Sequence, residues 1–165
     1  VNYLPNITRH FNYSLTGTGW AEVTFANEKQ TITFEVSYLT DPLSDLFEAL
    51  HRLLNKETTT EKVVFVDEPG EHSLVLAISE DGSLDIEIYW SDEWEEIAIV
   101  PPAVTNKKLV YQDTDTLTNF FRTVCIGIDE LLGRTTIEEY KKQWHHFVFP
   151  QDSYNNLKHL VENAR

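Results

Sequence analysis

The residue types that do chemistry are present in this chain, but few of them sit at working distances from one another. Cys125 is the single cysteine and falls on an apolar stripe. A thiol there reads as core, because a reactive thiolate needs an exposed, electropositive setting. His145 and His146 are adjacent and precede Phe147-Val148-Phe149. Neighbouring side chains on a helix or strand diverge, so these two rings do not readily share a metal. His10, His51, His72 and His159 lack ligand spacing. Gly17-Thr18-Gly19 lacks the following helix and the further glycines of a phosphate loop. Neither a serine nucleophile elbow nor a zinc-helix motif occurs. The many carboxylates could place some pair at glycosidase spacing, as any strongly acidic chain could. The sequence therefore nominates no catalytic residue, no metal ligand and no cofactor site.

What does stand out is charge. The chain has 165 residues, 13 of them Lys or Arg and 27 Asp or Glu, for a net charge of −14. That balance argues against direct contact with nucleic acid, which needs clustered cations. The acidity is local. Residues 1–60 carry 4 basic and 7 acidic side chains, residues 61–100 carry 1 and 12, and residues 101–165 carry 8 and 8. Within the acidic block, Tyr89-Trp90-Ser91-Asp92-Glu93-Trp94-Glu95-Glu96 interleaves aromatic and acidic residues. Asp85, Glu87 and Tyr89 should share the face opposite Leu84, Ile86 and Ile88. One reading is a solvated sheet face that keeps the protein soluble. The other is a docking surface for a basic protein partner, with Asp85, Glu87, Tyr89, Asp92, Glu93, Trp94, Glu95 and Glu96 as contacts.

These residues need elements to hold them. Hydrophobic residues make up 41% and charged residues 24%, a globular composition of a size that forms one domain over residues 1–165. Residues 11–39 alternate with period two and read as strands. Phe25 should oppose Ile32 and Val23 oppose Phe34, which keeps the apolar face together. The same register sets Glu22 against Glu35, an unfavourable like-charge pair that a cation, a nearby Lys or a slipped register would relieve. Residues 41–55 form a helix capped by Asp41 with Pro42 at its first position. Residues 62–111 return to strands, broken by Pro101-Pro102, with Ile97 to Val100 as one of them. A three-residue Glu80-Asp81-Gly82 loop, its glycine left-handed, opposes Ile78 to Leu84 and keeps side-chain parity. Helices are expected over 113–132, capped by Asp113 and ended by Gly133, over 136–146 and over 152–163. Gly127 interrupts the first of these on or near its inner face, which suggests close approach to the sheet. Strands and helices in this order predict an α+β domain, an antiparallel sheet covered on one face by helices.

No apolar run is long enough to span a membrane. With one cysteine, a reducing cytoplasm is the expected compartment. The absence of Met suggests a trimmed or processed N-terminus, and Asn6-Ile7-Thr8 and Asn12-Tyr13-Ser14 match the glycosylation acceptor pattern. The segments Gly17-Thr18-Gly19-Trp20-Ala21, Val36 through Leu46 and Asp67-Glu68-Pro69-Gly70-Glu71 resemble a set of small uncharacterised bacterial proteins. Some of these resemble immunity proteins that neutralise polymorphic toxins. The resemblance covers roughly residues 10–100 and brings no catalytic signature. Together with the acidic block, it makes an immunity-like inhibitor that covers a basic toxin or enzyme the expected function. Two rivals remain. One is an enzyme or small-ligand carrier with a pocket between sheet and helices, marked by polar groups converging around His145, His146 or Glu22 and Glu35. The other is a structural or oligomeric subunit, marked by an apolar patch around Trp20.

Overall fold

A computed structural model describes residues 8–95, 106–145 and 147–162. The elements run β1 (His10–Gly17), β2 (Trp20–Ala26), β3 (Thr31–Ser37), α1 (Pro42–Leu54), β4 (Thr60–Val66), β5 (Glu71–Ile78), β6 (Leu84–Ser91), β7 (Lys108–Asp115), α2 (Leu117–Arg134), α3 (Ile137–Gln143) and α4 (Gln151–Glu162). The fold is α+β. Its strands divide into two antiparallel sheets, β1-β2-β3 and β4-β5-β6-β7. The expected strand at 97–100 and the Pro101-Pro102 stop lie outside the described residues. Among the described residues no helix is long and apolar enough to cross a membrane.

Side-chain parity sets both hairpin registers. Phe25 opposes Ile32 and Val23 opposes Phe34, and Ile78 opposes Leu84 with Leu76 against Ile86. The Ser79 N–H donates to the Ser83 carbonyl at 2.9 Å, which closes the three-residue loop with Gly82 at φ +83°. A residue with a Cβ is strained in that conformation. Helix α1 begins as expected, with the Asp41 carboxylate accepting from the Ser44 N–H at 3.4 Å.

The second long helix starts later than its sequence suggests. Asp113 is not its cap, because β7 continues to Asp115 in register with β6, Ile86 facing Asp113 and Leu84 facing Asp115. Arg9 holds both carboxylates, at 2.7 Å and 3.3 Å. Thr116 caps the helix instead, accepting from the Asn119 N–H. Gly133 does not end it either. The helix runs on to Arg134 and stops at extended Thr135. The capping box of α3 joins Thr136 and Glu139.

Both sheets contribute to one apolar cluster with the helices. Phe25 lies 6.1 Å from Tyr111, and Phe34 lies 5.6 Å from Phe65 and stacks on His72 at 3.9 Å. Helix α2 follows the open edge of β1. A methyl group at Gly127 would sit 2.2 Å from the Phe11 carbonyl oxygen. About two turns further on, the Arg134 guanidinium reaches the Tyr13 carbonyl and the Asn12 and Ser14 side chains. Carbonyls two residues apart on a strand point the same way, so the helix covers the β1 edge. The edge of β7 is closed by side chains: Arg9 donates to the Thr114 carbonyl and Gln30 to the Gln112 carbonyl.

Gly127→Ala should lose about 2 kcal/mol in chemical denaturation, because crowding against Phe11 outweighs the gain in helix propensity. Gly133→Ala, with open space around it, should gain up to about 1 kcal/mol. Burial between Phe34 and Trp90 pushes His72 from 6.5 down to about 4. Below pH 6.5 the unfolded chain takes up a proton there that the folded chain refuses, so stability falls as pH falls from 6.5 to 4. The full loss is roughly 3 kcal/mol. His72→Phe should flatten that part of a plot of urea midpoint against pH.

Candidate functional site

The acidic residues nominated by sequence fall into three groups once β6 is placed. The first is the outward row of the second sheet. Leu84, Ile86 and Ile88 are buried, while Asp85, Glu87 and Tyr89 between them face outward and are half-buried. The row is held by side-chain hydrogen bonds. Asp85 accepts from Ser79 Oγ at 2.5 Å and Thr114 Oγ1 at 3.2 Å. Glu87 accepts from the Tyr89 hydroxyl at 2.6 Å and from Gln112 Nε2 at 3.5 Å. The Glu87 carboxylate at this hydroxyl raises the Tyr89 pKa above its ordinary value. Leu109, 42% exposed, stands opposite Tyr89 and gives the row an apolar neighbour.

The second group, Asp92 and Glu93, follows the end of β6 and is exposed. Among the described residues, Asp85, Glu87, Asp92 and Glu93 form no ion pair. The third group has an internal task. The Trp94 indole donates to the Asp67 carbonyl at 2.8 Å. The Glu95 N–H donates to the buried Glu71 carboxylate at 3.1 Å, and the Glu95 carboxylate pairs with Lys107 at 2.9 Å. Trp94 and Glu95 thus pin the chain after β6 to the turn between β4 and β5. Glu96 lies outside the described residues.

Sequence reasoning missed Leu109, Gln112 and Thr114 as parts of this face. The last two fell next to or inside an expected helix. Plain alternation would group Leu109 with inward Tyr111 and Asp113; an extra residue of β7 opposite Ile88-Tyr89 turns Leu109 to the outward face instead.

The other nominated groups do not converge. Glu22 and Glu35 oppose each other as the register requires, so no slip relieves them, and they lie on the outward face of the first sheet. Trp20 shares that face with Glu22 and Thr24 and is half-buried. His145 is exposed beyond α3, 5.7 Å from the Tyr38 ring, and His146 lies outside the described residues. Cys125 is half-buried, and burial pushes its thiol up to about 11, away from nucleophilic use at neutral pH. A cleft of about 240 Å³ between α1 and α4 is lined by Phe47, Glu48, His51, Arg52, Ser153 and Asn156. Its Arg52 is already engaged with Glu61 at 2.9 and 2.8 Å. No group of three or more His, Cys, Asp or Glu side chains placed to hold a metal is found among the described residues.

Compared with family models, curated proteins and solved structures, the chain matches none of them.

The Glu22–Glu35 pair gives a simple check. Glu35→Lys turns a like-charge cross-strand pair into an opposite-charge one and should stabilise the fold by roughly 0.5 kcal/mol in low salt. The gain should shrink at high salt, as thermal melts of the two proteins would show.

Proposed function

We propose that this chain works by binding, as an immunity-like inhibitor that covers a basic toxin or enzyme with the outward face of its second sheet. The observation that carries the reading is the Asp85–Glu87–Tyr89 row beside exposed Leu109, with Asp92 and Glu93 at its end and no ion pair at any of the four carboxylates among the described residues. Unpaired carboxylates set a field that draws a cationic surface toward them. Tyr89 and Leu109 supply the apolar contact that fixes a partner once it has arrived. Inhibition is steric: the partner's working surface is occluded by a sheet face, and no covalent step is involved. Trp94 and Glu95 contribute indirectly, by holding the end of β6 in place.

The test is a pull-down from source-cell lysate at low and high salt, run in parallel with a variant carrying Asp85→Asn, Glu87→Gln, Asp92→Asn and Glu93→Gln. A basic protein retained by the native chain at low salt, released at high salt and lost by the variant is the expected result. With that partner purified, the variant should associate at least tenfold more slowly at low salt, with a flatter salt dependence. Equal retention and equal association rates for both proteins would remove this face from the reading.

A further inference from the structure

Away from the acidic face, one corner of the fold encloses hydrogen-bond donors that no atom of the described residues satisfies. The hydroxyls of Tyr13 and Tyr140 and the indole Nε1 of Trp144 are all shut off from solvent, with no partner among the described residues. Their residues are 0%, 1% and 0% exposed. They come from two parts of the chain: Tyr13 from β1, and Tyr140 and Trp144 from α3 and the residue that caps its end. The Trp144 ring lies 6.2 Å from Tyr13 and 6.4 Å from Tyr140. The two phenol oxygens are within electrostatic reach of each other, and both are within reach of the Asp41 carboxylate. Thr40 Oγ1, just before the start of α1, is likewise enclosed and unpaired.

Burying such donors unsatisfied costs more than an ordinary hydrogen bond returns, so native proteins rarely tolerate one, let alone a group. The group they need must accept from hydroxyl and indole donors and donate onward to a carboxylate. It must also be small, since these atoms have no open surface. Water meets all three conditions.

We propose that the corner formed by Tyr13, Thr40, Asp41, Tyr140 and Trp144 is an internal water-binding site. Bound water accepts from the phenols and the indole and donates to Asp41. It thereby joins β1 and α3 to the first turn of α1, where the Asp41 carboxylate accepts from the Ser44 N–H at 3.4 Å. Asp41 then serves two ends at once, the cap of its own helix and the hydrated corner. The proposal is independent of what the acidic face binds.

Tyr13→Phe and Tyr140→Phe keep each ring and remove only the hydroxyl. An unsatisfied hydroxyl is no loss, so without bound water each variant would be as stable as the native chain or more so. With bound water each should lower the folding equilibrium constant about fivefold. The double variant should lose less than the product of the two, because the groups share a partner. Oxygen-17 relaxation dispersion on the native protein should detect water with a residence time beyond that of surface hydration, and that signal should fall in the double variant. Neutral or stabilising Tyr→Phe changes would overturn the proposal. So would an experimental map in which the two phenols and the indole bond directly to protein acceptors, with no water between them.

Discussion

The main-chain groups along the outer edge of β1 need a partner, and the contact that provides it orders much of the molecule. Strand β1 ends the first sheet, so its Phe11 and Tyr13 carbonyls face away from β2. Helix α2 is laid along them at a distance that only glycine at position 127 permits. Arg134 closes the same edge further along. Once α2 is fixed there, Phe120, Phe121, Val124, Ile128 and Leu131 enter the shared core. The Tyr154 hydroxyl then meets the Cys125 carbonyl and Asp129, and α4 is positioned against α2. Lys158 reinforces this by pairing with Asp129 at 3.2 Å, over the Tyr154 ring. A cost of about 1 kcal/mol in helix propensity is outweighed by closing an edge that would otherwise invite pairing with another chain.

The acidity of residues 61–100 separates into two populations. Some carboxylates are used inside the fold. Glu61 receives both Arg52 and the Thr58 hydroxyl, and that hydrogen-bonded guanidinium lowers its pKa. Glu68 accepts from Ser37 across the two sheets, and Glu71 and Glu95 lock the segment after β6 to the β4–β5 turn. Others, Asp85, Glu87, Asp92 and Glu93 among them, lie outward without cationic partners among the described residues. Local charge alone could not have told the two populations apart, since Glu93 and Glu95 are two residues apart and belong to different ones.

Legibility in the sequence followed the range of the physics. Registers β2–β3 and β5–β6 were readable because a one-residue slip would turn every apolar side chain to water. Helix α1 was readable because its cap, its Pro42 and its apolar stripe agree. The start of α2 was not. Asp113 and Asp115 look like caps in isolation, but Arg9, over a hundred positions away, makes them ion-pair partners on a strand. The division of the strands into two sheets was equally out of reach. It depends on Phe34 meeting Phe65 and His72, a choice of neighbour that period-two alternation does not encode. At the acidic face the outward row was legible and its apolar neighbour was not, because Leu109 reaches Tyr89 only through a bulge in β7.

How Asp85 and Glu87 are held bears on whether that face is merely solvated. A carboxylate that serves only solubility has no need of a fixed direction, and water satisfies it fully. Here each accepts hydrogen bonds from nearby side chains, Ser79 and Thr114 for one, Tyr89 and Gln112 for the other. Those bonds restrict rotamers before any partner arrives, which removes part of the ordering cost from association. They leave the net charge intact, since every donor is a neutral hydroxyl or amide. A face whose carboxylates are oriented but not neutralised combines attraction at long range with fit at short range. That combination is what the proposed docking of a basic partner rests on.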